Sequence, residues 1–199
     1  GGSMVELSGI ARNVGDIVPE GAAAIMPPTQ IDFATLYGIV DQSFPDGGRY
    51  AVDCLWGDDP ETAFAGLAAM IADAPSARSN AIGVIYGRNS ALGKGLPDAA
   101  LSVTGPVCGI VHGTWDETRD DQKNLDWLRA GMDRLNAVTT GRYVGHADLS
   151  RPGRLEECYS RDALSRIAAL SKTYDPRGIF GDRKVLDTHS AVPGVMAAE

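Results

Sequence analysis

The sequence lacks any apolar run long enough for a membrane span and any leader of the signal-peptide kind, so neither a membrane nor a secretory role is expected. It lacks a basic cluster. Lys and Arg number 18 against 26 Asp and Glu, a net charge of −8, which leaves nothing to grip a phosphate backbone and excludes nucleic acid as an expected partner. Cysteine is scarce: Cys54, Cys108 and Cys158 are an odd number at wide spacings, which fits neither a disulfide framework nor a zinc site. Free thiols in a reducing cytoplasm are the expectation. No repeat and no low-complexity tract is present. Lys94 stands between Gly93 and Gly95 without the rest of a phosphate-binding loop. No complete catalytic triad is visible, and no third histidine or carboxylate stands at metal-ligand spacing, so no metal is expected.

What is present fits one globular domain. The 199 residues are 44% hydrophobic and 22% charged, and a chain of that length buries about 70% of its unfolded surface. Arginine outnumbers lysine and alanine is abundant, a composition that suggests a GC-rich bacterial genome. Gly1-Gly2-Ser3 ahead of Met4 reads as a cloning scar. Residues 4–28 form an irregular lead-in, 29–184 a single domain and 185–199 a loosely held tail.

Within the domain, Thr29 opens a helix with Asp32 three residues on, and Phe33, Leu36, Tyr37 and Val40 make its apolar face. Arg49–Trp56 reads as a strand. Asp59-Pro60 starts a second helix, with Phe64, Leu67, Met70 and Ile71 as its stripe. Asn80–Tyr86 is a second strand, residues 87–105 a long glycine-rich loop, and Val107–Trp115 a third strand. Thr118 and Asp121 open the longest helix, with Leu125, Leu128, Met132 and Leu135 on one face. Arg142–Ala147 is a predicted fourth strand. Ser160 caps a last helix, with Leu164, Ile167 and Ala168 inward, and Asp175-Pro176 closes it. Alternation of strands and helices leaves a parallel sheet open in principle.

The ordered set Tyr143-Val144-Gly145-His146-Ala147-Asp148, Tyr159, and a helix ending Tyr174-Asp175-Pro176-Arg177-Gly178-Ile179-Phe180 resembles the C-terminal end of the berberine-bridge-type flavin oxidases. The tryptophan-ended strand Val111-His112-Gly113-Thr114-Trp115-Asp116 is a further shared element. The resemblance covers about residues 28 to 183. It implies an α+β fold, an antiparallel sheet of four or more strands with helices packed on one face, as in the substrate-binding domain of those enzymes. It also exposes departures. The glycine-rich flavin-phosphate loop and the residue that tethers flavin are missing. Gly145 stands where the family has asparagine, and Val84 where it has an acidic residue. Tyr143, a base near flavin in such oxidases, carries over. The expectation is a protein without a flavin cofactor.

Strand alternation sorts the candidates onto faces. Cys108, Ile110, His112 and Thr114 share one face of the third strand; Val107, Gly109, Val111, Gly113 and Trp115 share the other. Helices cover the apolar side, so the face with His112 and Thr114 is expected to be open or ligand-lined. Tyr50, Val52, Cys54 and Trp56 share a face opposite Asp53. As a fourth strand, Tyr143 and Gly145 would point one way, His146 and Asp148 the other. His112 can serve as acid, base or carbonyl donor, or be a hydrogen-bonded histidine of a half-buried sheet. His146 and Asp148 can pair as a dyad or satisfy a strand end. Tyr50, Trp56 and Tyr86 can line an apolar pocket or belong to ordinary core. Strand glycines, Gly83, Gly109, Gly113 and Gly145, leave room for a ligand. Cys108 has no signal of nucleophilic chemistry, and His189 in the tail is incidental.

Together with the resemblance, these residues lead to a flavin-independent cyclase acting on a large apolar polyketide-type intermediate, like those of polyether or tetronate pathways. Tyr143 and His112 are its expected catalytic groups. Tyr50, Trp56, Tyr86, Cys108, Thr114 and Gly145 are the expected substrate-binding residues. An open apolar sheet face needs a cover, and a second copy of the chain, giving a homodimer, is one candidate. The alternatives are a lid subunit of a split flavin oxidase and a small-molecule binding module.

Overall fold

The computed structural model describes residue 9 and residues 31–43, 46–86 and 99–180. The lead-in other than Gly9, the tail with His189, and the part of the long loop that holds Lys94 lie outside the described residues. The chain divides into two units, Gly1–Asp46 and Gly47–Glu199. The first contributes helix α1, Phe33–Ser43. Its first turn is capped by Asp32, whose carboxylate accepts from Thr35 N at 2.7 Å; Thr29, the predicted start, lies outside the described residues.

The second unit is built on three strands, β1 (Arg49–Gly57), β2 (Asn80–Ile85) and β3 (Val107–Trp115). β3 lies in the middle and pairs antiparallel with both neighbours. Val52 and Asn80 sit opposite His112, and Leu55 and Gly83 opposite Gly109. Helix α2, Pro60–Ala72, starts as predicted: the Asp59 carboxylate accepts from Glu61 N and Thr62 N, and Pro60 takes the first helical position, where no N–H is needed. Helix α3, Asp121–Arg134, follows a short 3₁₀ turn at Thr118–Asp120. Asp121 pairs with Arg49 of β1 and accepts from Trp115 Nε1 at 2.7 Å, which fixes the start of α3 against the sheet. Helix α4, Arg161–Tyr174, is capped by the Ser160 hydroxyl, which accepts from Ala163 N.

α2 and α3 cover one face only. Leu55, Val107 and Val111 of the sheet are buried against Leu67 and Met70 of α2 and Leu128 and Met132 of α3. Each such side chain contributes about 1.5–3 kcal/mol by leaving water. The strand glycines belong to this face and serve it. A Cβ on Gly109 would meet Leu67 at 2.8 Å, one on Gly83 would meet Phe64 at 2.5 Å, and one on Gly113 would touch Trp127. Their room is filled by helix side chains, which corrects the expectation that it is kept for a ligand.

The predicted fourth strand does not form, and the sheet has three strands among the described residues. The chain bridges β1 once, with Trp56 N donating to Gly141 O at 2.7 Å and Thr140 N to Trp56 O at 2.8 Å. After that its N–H groups go elsewhere. Arg142 N donates to Glu157 O, and both His146 N and Ala147 N turn back onto Tyr143 O. With these donors turned away from β1, the segment becomes a turn lying along its edge.

Candidate functional site

The face away from α2 and α3 carries Tyr50, Val52, Cys54 and Trp56 of β1 and Cys108, Ile110, His112 and Thr114 of β3, since opposed residues in the register share a face. The sequence reading of which residues share a face holds, but the face with His112 is open only in part, since Cys54, Trp56, Cys108 and Thr114 on it are buried. His112 is half-buried, Tyr50 is exposed, and Trp56, Cys108 and Thr114 are buried. At the far end Trp56 packs on Tyr86, ring centroids 5.7 Å apart.

Tyr143 reaches this face, but through the turn. Its backbone is gripped by the Cys54 thiol, which accepts from Tyr143 N at 3.3 Å and donates to Tyr143 O at 3.4 Å. The Tyr143 ring meets His146 at 5.5 Å, and His146 meets His112 edge-on at 6.0 Å. One imidazole thus bridges the two expected catalytic residues. The strand reading put Tyr143 and His146 on opposite faces. The spacing of three, with Gly145 between, was the signal for a turn that sets both rings together. A Cβ on Gly145 would lie 2.7 Å from the Tyr143 ring, so this glycine makes room for the tyrosine. The dyad of His146 with Asp148 is not formed by these contacts: Asp148 accepts from Arg129 Nε at 3.0 Å and from Ser150.

Burial dominates the electrostatics of this face. Burial, and secondarily the charge of His146, lowers the His112 pKa from its ordinary 6.5, so it is neutral at pH 7. Burial pushes the Cys54 thiol up to about 12 and those of Cys108 and Cys158 up to about 11. These thiols are protonated and inert as nucleophiles at neutral pH. Burial also raises the Tyr86 phenol. Trp56 Nε1, Thr114 Oγ1 and His146 Nδ1 are buried polar atoms without a hydrogen-bond partner. Among the described residues no group of three His, Cys, Asp or Glu side chains could hold a metal ion.

A network that sequence reasoning missed lies behind the turn. Arg142 is fully buried, donating to Glu157 Oε2 at 2.5 Å, to Cys54 O at 2.5 Å and to Asn136 Oδ1 at 2.8 Å. Arg154 donates to Asp53 Oδ2 at 2.7 Å and to Glu157 at 2.9 Å. Burial alone would raise the Glu157 carboxyl, but the hydrogen bond and charge of Arg142, with Arg154, hold it below the usual range. Nothing in the one-dimensional pattern distinguishes such arginines from solvent-facing ones. A groove of about 640 Å³ between α2 and β2 is lined by Phe64, Leu67, Ile71 and Asn80 and carries no titratable side chain, so chemistry is not seated there.

The resemblance to flavin oxidases raises the question whether these residues suit a flavin dinucleotide. Its pyrophosphate takes the backbone N–H groups of a glycine-rich loop or free cations; no such loop stands beside the ring residues among the described residues, and the arginines near them are paired, Arg49 with Asp121, Arg129 with Asp148 and Arg142 with Glu157. By themselves the described residues do not fit that group, and no step is routed through it.

No protein-family model matches the chain, and curated proteins give no sequence match. Solved structures do match. A variant of BBE-like 1 from Physcomitrella patens superposes with a TM-score of 0.65 at 15% identity, over 88% of this chain and 40% of that one. GilR, an oxidoreductase that catalyses the terminal step of gilvocarcin biosynthesis and was solved with pregilvocarcin, gives 0.51 at 22% identity, over 65% of this chain and 31% of its own. CrmK, a flavoenzyme involved in shunt-product recycling in caerulomycin biosynthesis, gives 0.52 at 19% identity, over 71% and 34%. The chain therefore spans between 31% and 40% of the length of these proteins. No helix of the described residues is long and apolar enough to cross a membrane. The fold of this chain is that of the C-terminal part of the berberine-bridge-like FAD oxidases, as the order of its tail residues implied.

Proposed function

We propose that the sheet face opposite α2 and α3 binds a large apolar, carbonyl-bearing intermediate at its exposed part, around Tyr50, His112 and Tyr143, and promotes its redox-neutral cyclisation. The observation that carries this reading is the ring array Tyr143–His146–His112 on the face opposite the helices. In an intramolecular cycloaddition or cyclising rearrangement, bonds are exchanged inside one molecule and no group is gained or lost. Such a reaction asks mainly for orientation, which is worth up to about 7–11 kcal/mol of barrier. Tyr143 and neutral His112 supply N–H and O–H donors that polarise a conjugated carbonyl. Tyr50 and Tyr86 supply accessible aromatic surface, and buried Trp56 packs on Tyr86.

The test is a single-turnover measurement with a linear conjugated polyene precursor and no added flavin. A product of unchanged mass is expected, with Tyr143→Phe and His112→Ala each slowing the step by about 10²–10³. Conversion that appears only when flavin and an electron acceptor are present would sink the proposal.

A second reading, the substrate-binding part of a flavin oxidase assembled with a separate flavin-binding portion, is favoured by one observation. Asp175 accepts from Ile179 N at 2.7 Å and Phe180 N at 2.9 Å, fixing a turn that presents Ile179 and Phe180 to solvent. Flavin-dependent conversion restored by an added flavin-binding protein would select that reading.

A further inference from the structure

We infer that Asp53 is the positioning residue of the ring array, holding both ends of the turn that carries Tyr143 and His146. This rests on the array being the functional site. Asp53 belongs to β1 but projects away from the open face, so it touches none of the three rings' substrate side. Its Oδ1 faces Arg142 Nη1 at 3.5 Å, immediately before Tyr143, and accepts from Asp148 N at 3.3 Å, two residues after His146. The same oxygen accepts from Cys54 N at 2.9 Å, and Cys54 grips the Tyr143 backbone from the other face of the strand. Oδ2 takes Arg154 at 2.7 Å, which ties in the chain leading to α4.

One carboxylate therefore does for this segment what a ladder of backbone bonds does for a strand. A strand would have placed alternate side chains on opposite faces. The clamp holds a turn instead, and only a turn puts residues 143 and 146 side by side over His112. A charged acceptor suits the task because bonds to an ionised group are about twice as strong as neutral ones, and its burial at 0% exposure removes water as a competitor.

The experiment uses the whole chain and no substrate. Imidazole titrations and ring-to-ring cross-peaks of His112 and His146 are recorded by NMR for the wild type, Asp53→Asn and Asp53→Glu. Asp116→Asn, which breaks the exposed pair with Arg78 at the far side of the sheet's β3 end, is the control. In both Asp53 variants the Tyr143–His146 and His146–His112 cross-peaks are expected to vanish and the His112 midpoint to rise towards its ordinary value, while thermal unfolding stays cooperative. The control keeps the wild-type spectrum. Folded Asp53 variants with unchanged cross-peaks and midpoint would overturn the inference. So would loss of cooperative unfolding in both, since Asp53 would then support the whole unit and not this turn. Because no precursor is involved, the clamp can fail while cyclisation stands, and the reverse.

Discussion

The two faces of the same three strands are built by opposite rules. On the helix side Leu55, Val107 and Val111 are fully buried, and Gly109 and Gly83 let Leu67 and Phe64 approach the backbone. On the other side, one residue along each strand, stand an imidazole, thiols and aromatic rings, and the cover over Cys54 is a turn held by ions. One face is fixed by packing density, where losing a methylene is felt. The other is positioned from its edge. Stability and function can then be changed separately, residue by residue, along β1.

The largest effect should come from the edge. Arg142→Ala removes one of the two buried arginines that face Asp53 and Glu157, leaving only Arg154, and breaking a buried pair from one side costs about 3–5 kcal/mol. Denaturant unfolding measures it. A loss under about 1 kcal/mol would mean that the network behaves like a surface pair and that the turn is held by something else. Next comes the helix face: Leu55→Ala should cost about 2–5 kcal/mol, the transfer loss plus a cavity that α2 and α3 cannot close. If Leu55→Ala proved milder than an exchange on the open face, such as Ile82→Thr, the division between the two faces would be broken.

How much of this was visible beforehand follows the same division. The helix face was legible because packing writes a period: Leu67 and Met70 on α2, Leu128, Met132 and Leu135 on α3, and apolar alternation along β3 all pointed one way, and all are buried. The Asp59-Pro60 and Ser160 starts were legible because caps are local. The turn at residues 143–148 was not. Tyr143, Gly145 and Ala147 alternate with Val144, His146 and Asp148 as a strand would, and the competing partner, Asp53, lies far away in sequence. Long-range ion pairs have no period, so Arg142 and Arg154 carried no signal.

Acid should separate the two regions along the pH axis. His112 has a folded pKa below its ordinary 6.5, burial being the main cause and the charge of His146 the next. The unfolded chain takes up that proton first, so stability falls as pH drops below about 6.5 and levels off below the folded value. Glu157 has a folded pKa below its ordinary 4.5. Its stabilising contribution is present above that value and is lost as pH falls further, through the folded pKa. Asp148 follows at lower pH, held below its ordinary 3.8 by Ser150 and Arg129 against the opposing effect of burial. Urea titrations from pH 8 to 3 should show an upper step from the open face and a lower one from the clamp. His112→Gln should remove the upper step alone, and an upper step that survives it would assign that step elsewhere.

The smallest effect expected is also the one that bears most on function. Tyr143→Phe removes a single hydroxyl from a side chain that is 37% exposed. The backbone of residue 143 is held by Cys54 and its neighbour Arg142 by the buried ions, none of which touches the phenol oxygen. The six-membered ring that packs on His146, centroids 5.5 Å apart, is one that phenylalanine keeps. Stability should therefore change by no more than about 0.5 kcal/mol, the range of an ordinary surface exchange, and the His146 cross-peaks should persist. On the proposed function, the hydroxyl of a side chain so held serves a guest and not the fold. Thermal melts of the two proteins at pH 7 decide the point. A loss above about 1.5 kcal/mol, the upper range for a net intramolecular hydrogen bond, would show that the phenol is bonded into the fold, and the case for Tyr143 as a catalytic donor would fall with it.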